Sequence, residues 1–150
     1  MPAKNDFMSF AIEEALIAAS RNEIPIGAVA VLNNKIIGRS GNRTRELKDV
    51  TAHAEVLAIR MSCKILSQET LPGVDLYVTL EPCTMCAAAI SFARIRRLYY
   101  GVPNPKGGGI EHGSQFYTLA TCHHKPEVYA GIAESRSRQI IQDFFKEKRQ

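Results

Sequence analysis

Four side chains raise the question of chemistry: His53 and Glu55 in "TAHAEVLAIR", and Cys83 and Cys86 in "LEPCTMC". Imidazole and thiolate are borderline and soft donors, a set that suits zinc. The two cysteines stand three residues apart at the expected start of a helix, so both sulfurs reach one ion. The positive end of the helix dipole favours thiolates there. His53 makes a third ligand, and three protein ligands leave one tetrahedral position open, the arrangement of a catalytic zinc. Such an ion lowers the pKa of bound water from roughly 15.7 to about 7, giving hydroxide at neutral pH. Two thiolates already offset the charge of the ion, so Glu55 gains little as a ligand and is free to move protons.

The spacing of His53 and Glu55 fits this reading. Residues two apart on a helix do not share a packing face. In the first turn, however, side chains project past the helix end, and both can approach an ion seated beyond it. A structural zinc site would instead take a fourth ligand from Cys63, Cys122, His112, His123 or His124. Taken alone, Cys-x-x-Cys fits structural zinc or a redox pair. Preceded about thirty residues earlier by His-x-Glu, Pro-Cys-x-x-Cys completes the signature of zinc-dependent base deaminases.

The elements that must position these groups are legible in the pattern. Apolar residues recur with a helical period over 8–20. "IGAVAVLNNKIIGR" reads as two strands joined at Asn33 and Asn34. A polar loop over 42–48 leads to a helix expected from near Thr51, and a buried strand over 75–80 is closed by Pro82. A small-residue helix over 83–92, a strand over 97–100, a short strand near 128–130 and a last helix from about Ala133 follow. Residues 101–114 are rich in Gly and Pro and are expected to form a loop that lines the site. The alternation of helix and strand predicts a central sheet with helices on both faces.

At 150 residues the chain fits one domain, 1–150, with a substantial core. Hydrophobic residues make up 45% and charged residues 23%, as in soluble proteins. The net charge of +4 is compatible with a nucleic-acid partner without requiring one. Positive charge gathers in residues 35–48, in Arg94, Arg96 and Arg97, and in the basic, aromatic "FFKEKRQ". The arginines suit either phosphate contacts or a solvated face. No apolar run approaches the roughly 18 residues that span a bilayer. Glu13 and Glu14 also fall where a signal peptide would need its hydrophobic region. The expected location is therefore cytoplasmic, with no membrane association, and the four cysteines are expected as thiols or ligands.

Beyond these motifs, "PIGAVAV", "GNRTRE", "TAHAEVLAIR", "LYVTLEPCTMCAAAI", "ARIRRLYYG", "PKGG" and "DFFKEKR" fall in the order seen in bacterial tRNA adenosine deaminases. The chain resembles that family from about Phe10 to Arg149. The resemblance implies an α/β fold of the cytidine-deaminase type, a three-layer α/β/α sandwich around a mixed sheet of about five strands. It implies a homodimer with one zinc per subunit, held by His53, Cys83 and Cys86. The activity implied is conversion of adenosine to inosine at the wobble position of a tRNA anticodon stem-loop. Hydroxide formed at zinc would attack C6 of the flipped base, with Glu55 as proton shuttle.

By the same resemblance Asn42 and the backbone N–H of Ala54 meet the base, and Asn104, Lys106, Phe144, Phe145 and Arg149 are candidates for RNA contact. Asn42 also reads as a simple turn residue. Ile140, Ile141, Phe144 and Phe145 form a stripe that suits core packing, so one phenylalanine alone is expected to touch RNA. Asn104 and His123 depart from the residues common in the family. Two other readings share some of these features. A free-base deaminase acting on cytosine or guanine would have the same zinc residues but no use for the basic tail. A non-catalytic, zinc-stabilised RNA-binding module would have no use for Glu55.

Overall fold

The computed structural model describes residues 6–148. Asp6 caps the first helix, α1 (Phe7–Ser20), by accepting the Ser9 N–H. Then β1 (Gly27–Leu32) and β2 (Lys35–Gly41) form an antiparallel hairpin. At its turn Asn33 and Asn34 both take positive φ, 51° and 64°. Asparagine tolerates that left-handed geometry, which matches the twist of the flanking strands.

The stretch expected as a polar loop contains one helical turn, α2 (Thr44–Leu47). Its Arg45 and Glu46 N–H groups donate to the buried carboxylate of Glu23. Next comes α3 (Ala54–Leu66), which starts three residues later than expected because Asp49 holds the chain in a turn. Asp49 Oδ1 accepts both the N–H and the hydroxyl of Thr51, a local bond that competes with helix.

The remaining elements are β3 (Asp75–Leu80), α4 (Thr84–Phe92), β4 (Arg97–Val102), β5 (Glu127–Tyr129) and α5 (Glu134–Lys148). The five strands form one mixed sheet in the order β2-β1-β3-β4-β5. β1 pairs antiparallel with β2 and β3, whereas β3–β4 and β4–β5 are parallel. Helices α1 and α5 pack on one face, α3 and α4 on the other, completing the expected three-layer sandwich.

The larger core lies under α3 and α4. It is built from small helix residues (Ala54, Ala58, Ala87) against Leu76, Val78, Leu98 and Tyr100 of the strands. Close approach is what the small residues permit. A Cβ on Gly38 of β2 would lie 2.4 Å from the Ala58 carbonyl, so α3 seats directly on the sheet. On the opposite face, register stacks Tyr77, Tyr99 and Tyr129 across three strands, with ring centroids 4.4 and 5.0 Å apart. No helix among the described residues is long and apolar enough to cross a membrane.

Candidate active site

Two helix starts converge at one end of the sheet. His53 is the N-cap of α3 and Cys83 the N-cap of α4, both with extended backbone (ψ 153° and 174°). Each carbonyl accepts the first helical bond, from Leu57 and Ala87. This resolves the spacing of His53 and Glu55. They cannot share a helix face, and they do not need to, since His53 stands outside the helix.

His53 Nδ1 lies 3.6 Å from Cys83 Sγ and 3.3 Å from Cys86 Sγ. Among the described residues these three form the group able to hold a metal ion, with ligand atoms all within 4.8 Å of one another. The alternative fourth ligands are committed elsewhere or stand apart. His112 bonds Glu81, the His124 ring meets the Ile95 carbonyl, Cys122 lies by Ser91, and Cys63 by the Glu69 carbonyl. His123 is exposed.

The chemistry of this group fits zinc. The Cys83 thiol is drawn down to about 4, chiefly by a hydrogen bond from the Cys86 thiol, with His53 adding to it. Cys86, as the donor of that bond, is pushed up. Glu55 lies in the first turn of α3 with its carboxyl buried next to Cys86. Burial raises its pKa to about 7, and the thiolate of Cys83 adds to the effect. Its Oε1 is buried with no hydrogen-bond partner. A buried polar atom without a partner is costly, so this oxygen fits a group that arrives, such as a water or substrate.

Asn42 follows β2 and is buried, 4% exposed. Its Oδ1 accepts the Ala54 N–H at 3.1 Å, so the two groups expected to meet a base meet each other here. The bond ties the hairpin end to the start of α3 and so places His53 and Glu55.

The chain matches the MafB19-like deaminase family over residues 3–149. It is 64% identical over 149 residues to the tRNA-specific adenosine deaminase of Agrobacterium fabrum, covering 99% of this chain and 98% of that protein. The chain belongs to the tRNA-specific adenosine deaminase family. The family member of Rickettsia bellii is 44% identical over 144 residues, 95% of this chain and 99% of that one. A solved structure from work on A-to-I editing by tRNA:A34 deaminases at the wobble position is 66% identical. It superposes with a TM-score of 0.88, covering 89% of this chain and 97% of that chain.

The family resemblance also implies roles for groups farther from His53, Cys83 and Cys86. Lys106 is exposed on the segment after β4. Asn104 precedes it, and its Oδ1 accepts the Gly107 N–H at 3.1 Å, so one acceptor is used in a turn. In α5, Phe144 is buried and Phe145 is 42% exposed, packed edge to face with it. The stripe therefore splits into a packing residue and a surface residue. Arg149 lies outside the described residues. Arg96 and Arg97 are ion-paired with Asp75 and Glu127 at the strand starts, the sheet end opposite Cys83. Sequence reading missed Glu81, whose buried carboxylate takes up backbone N–H groups from 104–112. Burial pushes its pKa up, but those bonds outweigh it and hold it below the usual value. The one signal available was an acid directly before Pro-Cys.

Proposed function

We propose that residues 1–150 form one zinc-dependent deaminase domain that converts adenosine to inosine at the wobble position of tRNA anticodons. The observation that carries this reading is the convergence of His53, Cys83 and Cys86 beside the unpartnered, buried Oε1 of Glu55. His53, Cys83 and Cys86 would hold one zinc per subunit. When bound, zinc supplies a Lewis acid that makes water acidic enough to attack at neutral pH.

The chain's own residues do the rest. Asn42 and the Ala54 N–H exchange their mutual bond for bonds to the purine and hold it flat in the site. Glu55 takes a proton from the attacking water as the C6–O bond forms and delivers it to ring N1. It then carries a proton to the amino group, the C6–N bond breaks, and ammonia leaves. Water and adenosine thus become inosine and ammonia. The buried setting of Glu55 keeps bulk water from competing for these protons.

Lys106, Phe145 and the basic tail would contact an RNA loop whose bases are splayed out, as single-stranded segments allow. We also propose a homodimer. Met61, Ile65, Met85 and Phe92, on the outer surfaces of α3 and α4, are exposed apolar side chains that pairing would cover. The compartment proposed is the cytoplasm.

The test is incubation of zinc-loaded protein with total tRNA, followed by mapping of inosine. Inosine at the wobble position alone is the expected result. Release of ammonia from free guanine or cytosine, with no inosine in tRNA, would favour the free-base reading instead. Tight tRNA binding without turnover would favour a non-catalytic module.

A further inference from the structure

Nothing in the proposed reaction uses Glu81, yet its side chain is wholly buried, 0% exposed, two residues before Cys83. A carboxylate in that position is costly unless its oxygens are met by donors. Here both are met, and every donor comes from one stretch of chain. Oε1 accepts the Asn104 N–H at 2.9 Å and faces the His112 ring Nδ1 at 2.8 Å. Oε2 accepts the N–H groups of Ile110, Glu111 and His112 at 3.1, 3.0 and 3.1 Å.

The stretch is also pressed onto the turn that carries Cys83. The Gly109 N–H donates to the Pro82 carbonyl at 2.8 Å. A Cβ on Gly108 would lie 2.4 Å from Glu81 Oε2, and one on Gly109 would lie 2.6 Å from the Thr84 nitrogen. Gly108 and Gly109, the last two glycines of "PKGGG", are therefore what this approach requires. Glu81 in turn is held at the sheet, its own N–H bonded to the Val102 carbonyl at 2.8 Å.

We propose that Glu81 is a positioning residue that fastens the 104–112 segment over the metal-ligand turn and so sets the rim that RNA must pass. It acts through the segment and touches neither substrate nor metal. The proposal rests on the tRNA deaminase reading, since it assigns the segment to RNA entry. Removal of the carboxylate should loosen the rim, weakening RNA binding far more than the chemical step.

The test is Glu81→Gln, which keeps the shape but turns an amide N–H₂ toward backbone donors. Hydrogen exchange at Asn104, Ile110, Glu111 and His112 should speed up by about 10-fold or more, with the amides of α4 unchanged. In single-turnover assays the Kd for an anticodon stem-loop should rise roughly 10- to 100-fold, as for loss of a charge-assisted bond. The saturating rate should stay within about 3-fold, with about one zinc per chain retained. Unchanged Kd despite faster exchange would overturn the proposal. So would loss of zinc together with the saturating rate, which would make Glu81 a prop of the metal turn. Gly108→Ala pushes the segment off from the other side and should reproduce the rise in Kd, which keeps the test open if Glu81→Gln does not fold. Absence of inosine with wild-type protein would overturn the tRNA reading itself, whereas the exchange pattern would still report on the clamp.

Discussion

Glu55 stands at the boundary between two jobs that a carboxyl can do at a metal. As a ligand it would lie inside the tight group of donor atoms; it lies outside that group, with one oxygen buried and unpartnered. Glu55→Ala should therefore keep about one zinc per chain while turnover falls roughly 100- to 10,000-fold, the range for losing a positioned acid–base group. Metal analysis and inosine release measure the two separately, and a metal-free variant would mean that Glu55 is a ligand. Asn42 offers a second case, because its amide satisfies the buried Ala54 N–H. Asn42→Ala leaves that donor unmet, and denaturant titration should show a loss of about 1–3 kcal/mol even without RNA. An unchanged midpoint would mean that water takes over the donor.

Helix placement decides whether these residues meet at all. α3 brings His53 and Glu55, and it is seated by Gly38, where any Cβ would press on the Ala58 carbonyl and the Ser62 hydroxyl at 2.4 and 2.5 Å. Gly38→Ala should push the helix outward and cost about 1–3 kcal/mol of stability, the usual scale for overpacking. It should weaken zinc binding as well, because His53 moves with α3 while Cys83 and Cys86 stay with α4. Thermal melts with and without zinc test this: an equal shift in both would show that α3 yields without disturbing the ligands. At the far end of α4, Phe92 is 73% exposed, an apolar ring facing solvent on the surface proposed for pairing. Phe92→Asp should convert a dimer to monomers in sedimentation velocity. A wild-type chain that sediments as a monomer would remove the proposal.

For the molecule as a whole, the net charge of +4 is modest, so where charge sits matters more than its sum. Arg96 and Arg97 spend theirs on Asp75 and Glu127. The tail after Phe145 holds Lys146, Lys148 and Arg149 within five residues. Deleting residues 146–150 should weaken tRNA binding and lower the slope of log affinity against log salt by roughly two, given about 0.7 per phosphate contact on single strands. Zinc content should not change. Unaltered affinity with an unaltered melt would show that the tail does not touch RNA, and a collapsed melt would show that it packs.

Local rules sufficed for much of this protein. The hairpin followed from Asn33-Asn34, because two left-handed residues in succession belong to few other structures. The strand over 75–80 and the gathering of His53, Cys83 and Cys86 into a group able to hold a metal ion followed from residue type and spacing, since thiolates and imidazole suit a metal by their own chemistry. Local rules failed where a distant partner decides. α3 begins at Ala54 instead of near Thr51 because Asp49 holds the preceding turn and Asn42, twelve residues back, takes the Ala54 N–H. Phe144 and Phe145 share a helical stripe, and only packing of α5 separated the buried ring from the exposed one. Glu81 carried no legible role, because its donors lie 23 to 31 residues away and a buried carboxylate is explained only by the donors that fold around it.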